Sequence, residues 1–481
     1  MIHPVRILAL MALVFGLTSL LMLVIPPDGV RVGPVTVDFP TWERFLAEDT
    51  TTNGVSLEDL FAIYAQKEQD GARTVDSLEQ ERRFRLAMKH FQYPQRDSCT
   101  LDHFFSSLPS LSRKGRVRIL HYGDSQIEGN RITAQLQSWF QAQYGGRGPG
   151  WIPVVEIIRT FAADQRQSDN WIRYTRYGGG PVSGHDRYGL LGAFSRFSPA
   201  LPGQDSLLPP STTDGPYSAW LEVAPRRGAI GRYDRLRLAW GDAADSVHYS
   251  VKAGEELIDE GIWPPGEGMH SQSWPLGSPP PALRMSFRSA SSPNFYGMSL
   301  ETDKGVFVDN IPLRGSSGTE FTRIQPGSIT DQIGTDDVAM VIYQFGGNTL
   351  PNTTNQEQVD YYRRVVIAQL ARIRRLFPEA TLLVIGPSDM SVKDGDRLVT
   401  HPFLPAVRDA VKAAAFDQGA IFWDMYEAMG GRNSMVQWVD AEPALATTDY
   451  THFTIEGCQV IADWLIEAFE EARTITQGPV Q

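Results

Sequence analysis

Residues 117–126 read Val-Arg-Ile-Leu-His-Tyr-Gly-Asp-Ser-Gln. Val117 to His121 has the apolar, branched character of a short strand, and Gly123-Asp124-Ser125 that of a tight turn. A helix is expected from about Arg131 to Tyr144, because Ile132, Leu136 and Phe140 recur at i, i+4 and i+8 on one face. Strand, tight turn and helix in that order open an α/β domain.

Downstream the pattern breaks and then returns. From about Phe161 to Ser299 helical periodicity is weak, and Gly, Pro and Ser are dense. Short alternating segments recur there: Trp171 to Tyr177, Trp220 to Val223, Leu236 to Trp240, Val247 to Val251 and Leu283 to Phe287. Repeated short strands between turn signals predict a β-sandwich inserted into the α/β domain. From about Gly305 the α/β rhythm resumes. Strands are expected at Val306 to Ile311, Val338 to Phe345, Thr381 to Ile385 and Ile421 to Trp423. Helices are expected at Val359 to Phe377, Ala406 to Phe416 and Glu456 to Ala472. The fold class that follows is α/β, a parallel sheet with helices on both faces, carrying an inserted β-sandwich. Sites in such sheets form at the carboxyl ends of the strands.

Upstream, residues 28–110 read as a stalk and entry helices. Thr50 to Gly54 is a polar break, Ser56 with Glu58 and Asp59 a capped helix start, and Leu78 to Phe91 a charged helix. Ile7 to Ile25 is an uncharged run that would span about 28 Å as a helix, close to the hydrocarbon thickness of a bilayer. Arg6 precedes it and Pro26-Pro27 ends it, which predicts a signal anchor over residues 1–27 with the rest of the chain outside. A cleaved signal peptide is the alternative, and both place the protein in an exported compartment. The domain expectation is therefore 1–27 anchor, 28–110 stalk, 111–160 with 300–475 the discontinuous α/β domain, and 161–299 the insertion.

A net charge of -12, with no useful Lys/Arg cluster, argues against nucleic-acid binding. The two cysteines, Cys99 and Cys458, are too few for a disulfide framework or a zinc site, and the nine histidines lack ligand spacing. No metal and no cofactor is expected. The cysteines read as unpaired thiols, with one long-range disulfide as the alternative.

Three short signals carry the chemistry: Gly-Asp-Ser-Gln at 123–126, Gly-Gly-Asn at 346–348 and Asp-x-x-His at 449–452. A serine hydroxyl needs a base to become a nucleophile, a histidine supplies it near neutral pH, and a carboxylate fixes the histidine tautomer. The oxyanion formed on attack needs donors already in place. Asp245/His248 repeats the Asp-x-x-His spacing and Gly431/Asn433 the Gly-x-Asn spacing. Asp245 and His248 fall in the β-rich insertion, and Asn433 does not directly follow a strand, so both are set aside. Glu128 reads as a solvated acid at a helix start, His121 as a packed strand residue, and Trp171, Trp220 and Trp240 as core aromatics before sugar platforms.

The order Gly-Asp-Ser, Gly, Gly-x-Asn, Asp-x-x-His resembles the four blocks of SGNH/GDSL hydrolases. The resemblance implies Ser125 as nucleophile, His452 as base and Asp449 as its orienting acid. It implies an oxyanion hole from the Ser125 N–H, a glycine N–H and Asn348. The glycine is Gly315 in Leu-Arg-Gly-Ser-Ser-Gly (313–318), with Gly318 a close rival. Thr349 stands where many members carry Asp. His-Tyr-Gly-Asp-Ser-Gln (121–126), Tyr-Gly-Gly-Arg-Gly-Pro-Gly (144–150) and Trp-Asp-Met-Tyr-Glu-Ala-Met-Gly-Gly (423–431) resemble the exported branch that contains peptidoglycan O-acetylesterases. That branch often carries a carbohydrate-binding-like sandwich in the same place. The expected function is an exported serine esterase that removes O-acetyl groups from a cell-envelope polysaccharide, peptidoglycan first. It would sit at a bacterial inner membrane facing the periplasm. The alternatives are a polysaccharide O-acetyltransferase using the same triad and a non-catalytic envelope glycan-binding protein.

Overall fold

The computed structural model describes residues 30–32, 35–37, 90–94, 100–161, 163–201, 215–225, 233–277 and 280–477. The expected anchor at 7–25, the break at 50–54, the helix start at 56–59, nearly all of the 78–91 helix and Cys99 lie outside them. Among the described residues no helix is long and apolar enough to cross a membrane. Within residues 1–55, a unit of its own, Val30–Val32 pairs antiparallel with Val35–Val37.

The rest is organised by a five-stranded parallel sheet: β1 (Arg116–Gly123), β2 (Gly305–Pro312), β3 (Asp337–Gln344), β4 (Thr381–Ile385) and β5 (Ile421–Trp423). Its order is β2-β1-β3-β4-β5, every pair parallel. The apolar runs read as strands are buried on both faces, as a sheet covered on both sides requires. Helices α1 (Thr100–Lys114), α2 (Thr133–Tyr144), α3 (Pro326–Ile333), α4 (Gln356–Leu376), α5 (Leu404–Asp417) and α6 (Ile455–Gln477) flank it. Ile132, Leu136 and Phe140, the stripe that predicted α2, are fully buried. Phe140 meets Phe104 of α1 and Phe469 of α6 edge-on, ring centroids 6.0 and 5.4 Å apart.

Two antiparallel sheets of five and six strands form the sandwich. One runs 256–263, 247–253, 283–289, 217–225, 163–167, and the other 266–275, 235–243, 294–301, 193–197, 171–175. Gly150–Ile152 joins the second through Asn294–Glu301. Sandwich strands therefore run from Gly150 to Glu301, beyond the 161–299 expected. Trp171 and Trp240 pack inside, whereas Trp220 is half-buried with the Arg284 guanidinium 4.1 Å from its ring.

The joint between sandwich and sheet is charged. Arg118, in the middle of β1 and fully buried, donates to Glu301 and Asp336 at 2.7 Å and to Asp309 at 3.2 Å. Arg237 of the sandwich reaches the same Asp336 at 2.7 Å and Glu301 at 3.0 Å. Arg116 completes the set, 2.9 Å from Asp336.

Candidate active site

The strand order reverses beside β1, where β2 and β3 leave in opposite directions. Loops at the carboxyl ends of β1 and β3 diverge there and leave a crevice. The Ser125 turn follows β1 and the Asn348 loop follows β3, so both candidate residues stand at this switch point.

The turn is shaped by its own residues. Asp124 caps it, its Oδ1 accepting the Gln126 N–H at 3.0 Å. Gly123 admits no side chain, because a Cβ there would lie 2.9 Å from Ile127. Ser125 is left half-buried at the pocket surface.

Asp449 and His452 arrive on a tight loop before α6. The Thr447 N–H donates to the His452 carbonyl at 2.8 Å, and Tyr450 takes a left-handed conformation, φ +56°. That kink aims three donors at Asp449 Oδ1: the Thr447 hydroxyl at 2.7 Å, the Thr451 N–H at 2.9 Å and the His452 N–H at 3.0 Å. A non-glycine residue in this region stores strain, which the loop offsets with those bonds. His452 Nδ1 lies 2.7 Å from Asp449 Oδ2, and His452 Nε2 lies 2.8 Å from Ser125 Oγ. Burial pushes the Asp449 carboxyl up, but the His452 and Thr451 amides and the Thr447 hydroxyl outweigh it and hold it down at about 2. Ser125 and the Asp449–His452 pair, far apart in sequence, thus form one hydrogen-bonded relay.

Asn348 lines the same pocket. Its Nδ2 donates to the Ser316 carbonyl at 3.0 Å and to Asp124 Oδ2 at 3.2 Å, which fixes the amide plane. Support for Asn348 therefore comes from Asp124 and the 313–318 loop. Burial pushes Asp124 up to about 6, against the pull of the Gln126 N–H, His452 and Asn348. The two candidate glycines differ in availability. The Gly318 N–H is committed to Ser316 Oγ at 2.7 Å. Gly315, at φ +75°, has an N–H with no acceptor among the described residues, and its loop is tied to the turn by Leu313 N–H to the Gly123 carbonyl, 2.7 Å.

The set-aside residues sit elsewhere. His248 is exposed on a sandwich strand beyond the exposed Asp245, and Asn433 accepts the Thr400 N–H at 3.0 Å in a structural turn. His121 is fully buried between Gln344 (2.9 Å) and Thr133 (3.0 Å), and burial lowers its pKa to about 4. Glu128 differs from expectation. Its side chain is 14% exposed and paired with Arg314 at 3.3 Å, because the loop that follows β2 lies against this turn. Gln126 was not singled out, yet its Nε2 bonds the Thr451 carbonyl at 2.6 Å and Ser388 Oγ at 3.1 Å, stapling the nucleophile turn to the histidine loop. Its place directly after the serine was the available signal. Cys458 is a free, buried thiol. No group of His, Cys, Asp and Glu among the described residues is arranged to hold a metal.

No protein-family model matches the chain, and no curated protein does. Solved structures do. A structure described as a peptidoglycan O-acetylesterase in action aligns at TM-score 0.59 and 19% identity, covering 79% of this chain and 97% of that one. A family two carbohydrate esterase from Clostridium thermocellum, in complex with cellohexaose, aligns at TM-score 0.23 and 10% identity, over 52% and 90%. A GDSL-like lipase from Parabacteroides merdae aligns at 0.25 and 15%, over 34% and 73%. With the sheet order above, the first of these establishes the fold: the three-layer α/β fold of SGNH hydrolases with an inserted β-sandwich.

Proposed function

We propose that this chain is an exported serine esterase that removes O-acetyl groups from a cell-envelope polysaccharide, with peptidoglycan the first candidate. The observation that carries the reading is the Ser125–His452–Asp449 relay, its two contacts 2.8 and 2.7 Å long, at the switch point of the sheet. The O-acetylesterase with which it shares a fold supports the choice of leaving acid and glycan. The uncharged run Ile7 to Ile25 supports export to the periplasm, anchored in the inner membrane.

Ser125 Oγ attacks the ester carbonyl and gives its proton to His452 Nε2. Asp449 holds Nδ1–H, so Nε2 is the free base. The Ser125 and Gly315 N–H groups and Asn348 Nδ2 receive the oxyanion. The longer Asn348 bond, to Asp124, is the one an oxyanion competes for. Collapse returns the proton from His452 to the departing sugar oxygen and leaves acetyl on Ser125. Water, deprotonated by His452, then attacks that acetyl carbonyl, and acetate leaves as Ser125 regains its proton.

The test is acetate release from O-acetylated peptidoglycan and from an aryl acetate, by the wild-type chain and by Ser125→Ala. Release from both, abolished in the variant, supports the reading. Release from the aryl ester alone keeps the triad and removes peptidoglycan. No release from either by folded protein refutes it.

A further inference from the structure

The loop that supplies Gly315 is a tight turn with two forms open to it. The Ser316 N–H donates to the Leu313 carbonyl at 2.9 Å, which closes Leu313-Arg314-Gly315-Ser316 as a β-turn. Gly315 stands third in it at φ +75°, and Arg314 is not left-handed, so the turn is type II. A type I turn keeps the same closing bond and differs by a flip of the central peptide. That peptide is the Arg314 carbonyl with the Gly315 N–H. A trans peptide is planar, so its carbonyl and its N–H point in opposite directions. The seat of the Arg314 oxygen therefore decides where the Gly315 N–H points, and a flip would turn a carbonyl toward the place of an oxyanion donor. Glycine in third place leaves both forms open to the backbone, so the choice is made outside the turn.

The sandwich supplies it. Gly178, in the loop after the strand Trp171–Thr175, lies against the Arg314 oxygen. A Cβ on Gly178 would stand 2.5 Å from that oxygen, and a Cβ on Gly315 would stand 3.5 Å from the Gly178 Cα. The direction of the missing Cβ is that of a Cα–H bond, so glycine presents a C–H to the carbonyl, a weakly attractive contact. Any larger residue evicts the oxygen. The sandwich loop is held against retreat: the Thr175 N–H donates to the Pro181 carbonyl at 3.0 Å, the Thr175 hydroxyl donates to the Tyr177 carbonyl at 2.8 Å, and Tyr177 is buried. The turn is pinned only at its ends, where the Leu313 N–H donates to the Gly123 carbonyl and Asn348 Nδ2 donates to the Ser316 carbonyl. Flipping the central peptide breaks neither bond, so the flip is the cheapest way out.

We infer that Gly178 is a positioning residue of the esterase: by seating the Arg314 oxygen, the sandwich holds the Gly315 N–H toward the oxyanion. The inference rests on the reading of Gly315 as an oxyanion donor. It gives the insertion a part in catalysis that needs no bound glycan.

Gly178→Ala and Gly179→Ala form a matched pair. Both glycines are left-handed, at φ +66° and +69°, so each alanine carries similar backbone strain, but a Cβ on Gly179 meets nothing within 4 Å. Gly178→Asn brings the same Cβ with a residue more at ease in that region, and takes over if the alanine variant does not fold. Aryl acetate kinetics, thermal unfolding and a crystal structure are recorded for each. The expected result is a kcat lowered about 10²-fold in the Gly178 variants, the loss of one oxyanion donor, with KM little changed. Gly179→Ala keeps the wild-type kcat while losing as much melting temperature. The Gly178 variant structure shows the Arg314–Gly315 peptide turned over. Equal kcat in folded Gly178 and Gly179 variants, or an unturned peptide in the Gly178 variants, overturns the inference. A turned peptide with wild-type kcat also overturns it, and removes Gly315 from the oxyanion hole while Ser125 stays the nucleophile. If the wild-type chain releases no acetate, the esterase reading has failed by itself, and the turned or unturned peptide still decides whether the sandwich sets this turn.

Discussion

Replacing Asp449 by Asn tests the relay at its outer end. The loop geometry should survive, because the amide oxygen can take the place of Oδ1 and keep the Thr447, Thr451 and His452 donors. The amide nitrogen then stands where Oδ2 was, 2.7 Å from His452 Nδ1. A donor there forces Nδ1 to accept, so the ring proton moves to Nε2 and points at Ser125 Oγ. The base becomes a donor toward the hydroxyl it must deprotonate. In a buried triad this tautomer reversal costs about 10⁴ in kcat, or about 5.4 kcal/mol at 1.36 kcal/mol per tenfold. Here the Asp449 side chain is 51% exposed and that of His452 39%. Water can support the productive tautomer part of the time, which lowers the expected loss to about 10³. The assay is aryl acetate turnover under saturating substrate, with circular dichroism to establish folding. KM should change little, since Asp449 does not touch substrate. A folded Asp449→Asn variant within tenfold of wild-type kcat would refute the assignment.

Three further outcomes follow from the geometry. Asn348→Ala should lower kcat by about 10²–10³ while the variant stays folded, since one oxyanion donor is lost; full turnover would remove Asn348 from the oxyanion hole. Arg118→Met leaves Glu301, Asp309 and Asp336 facing only Arg116 and Arg237 in the buried joint, and denaturant unfolding should show a loss of about 3–5 kcal/mol, with unchanged stability counting against the network. Asp124, raised to about 6 from 3.8, holds its proton in the folded chain where the unfolded chain has released it, so its contribution to stability falls as pH rises from 4 through 6, by up to about 3 kcal/mol; carboxyl NMR should find a group titrating near 6, and its absence would show Asp124 solvated.

The central sheet was legible because its strands are buried on both faces, which demands the unbroken apolar runs seen at Thr381 to Ile385 and Ile421 to Trp423. The sandwich was legible as a class and less so strand by strand. Glu256–Trp263 and Gly266–Pro275 are edge strands with mostly exposed or half-buried side chains, so no apolar alternation marks them. Gly150–Ile152 pairs with Asn294–Glu301, a partner far along the chain, and three residues carry no periodicity of their own. The triad residues lie in short motifs whose local spacing reflects local geometry, as the three-residue step from Asp449 to His452 shows. Glu128 and Gln126 depend on what the fold carries to them, Arg314 and the Thr451 carbonyl, and sequence neighbours hold no record of either.

The charged joint explains how the sandwich keeps one position on the sheet. An apolar interface of the same size would hold as well, since a buried ion pair repays its desolvation only with complete pairing. It would also tolerate sliding, because apolar contact is non-directional. Three guanidinium groups and three carboxylates with fixed hydrogen-bond directions accept one register. Asp309 lies on the strand parallel to β1, takes the Arg118 guanidinium, and accepts the Trp151 N–H at 2.7 Å. The network therefore ends on the backbone of Trp151, in the strand Gly150–Ile152 that pairs with Asn294–Glu301 of the sandwich. A substitution at Arg118 that leaves the chain folded should then expose the sandwich to limited proteolysis before it disturbs aryl acetate turnover, because the triad hangs from β1 and the α6 loop while the sandwich hangs from this joint.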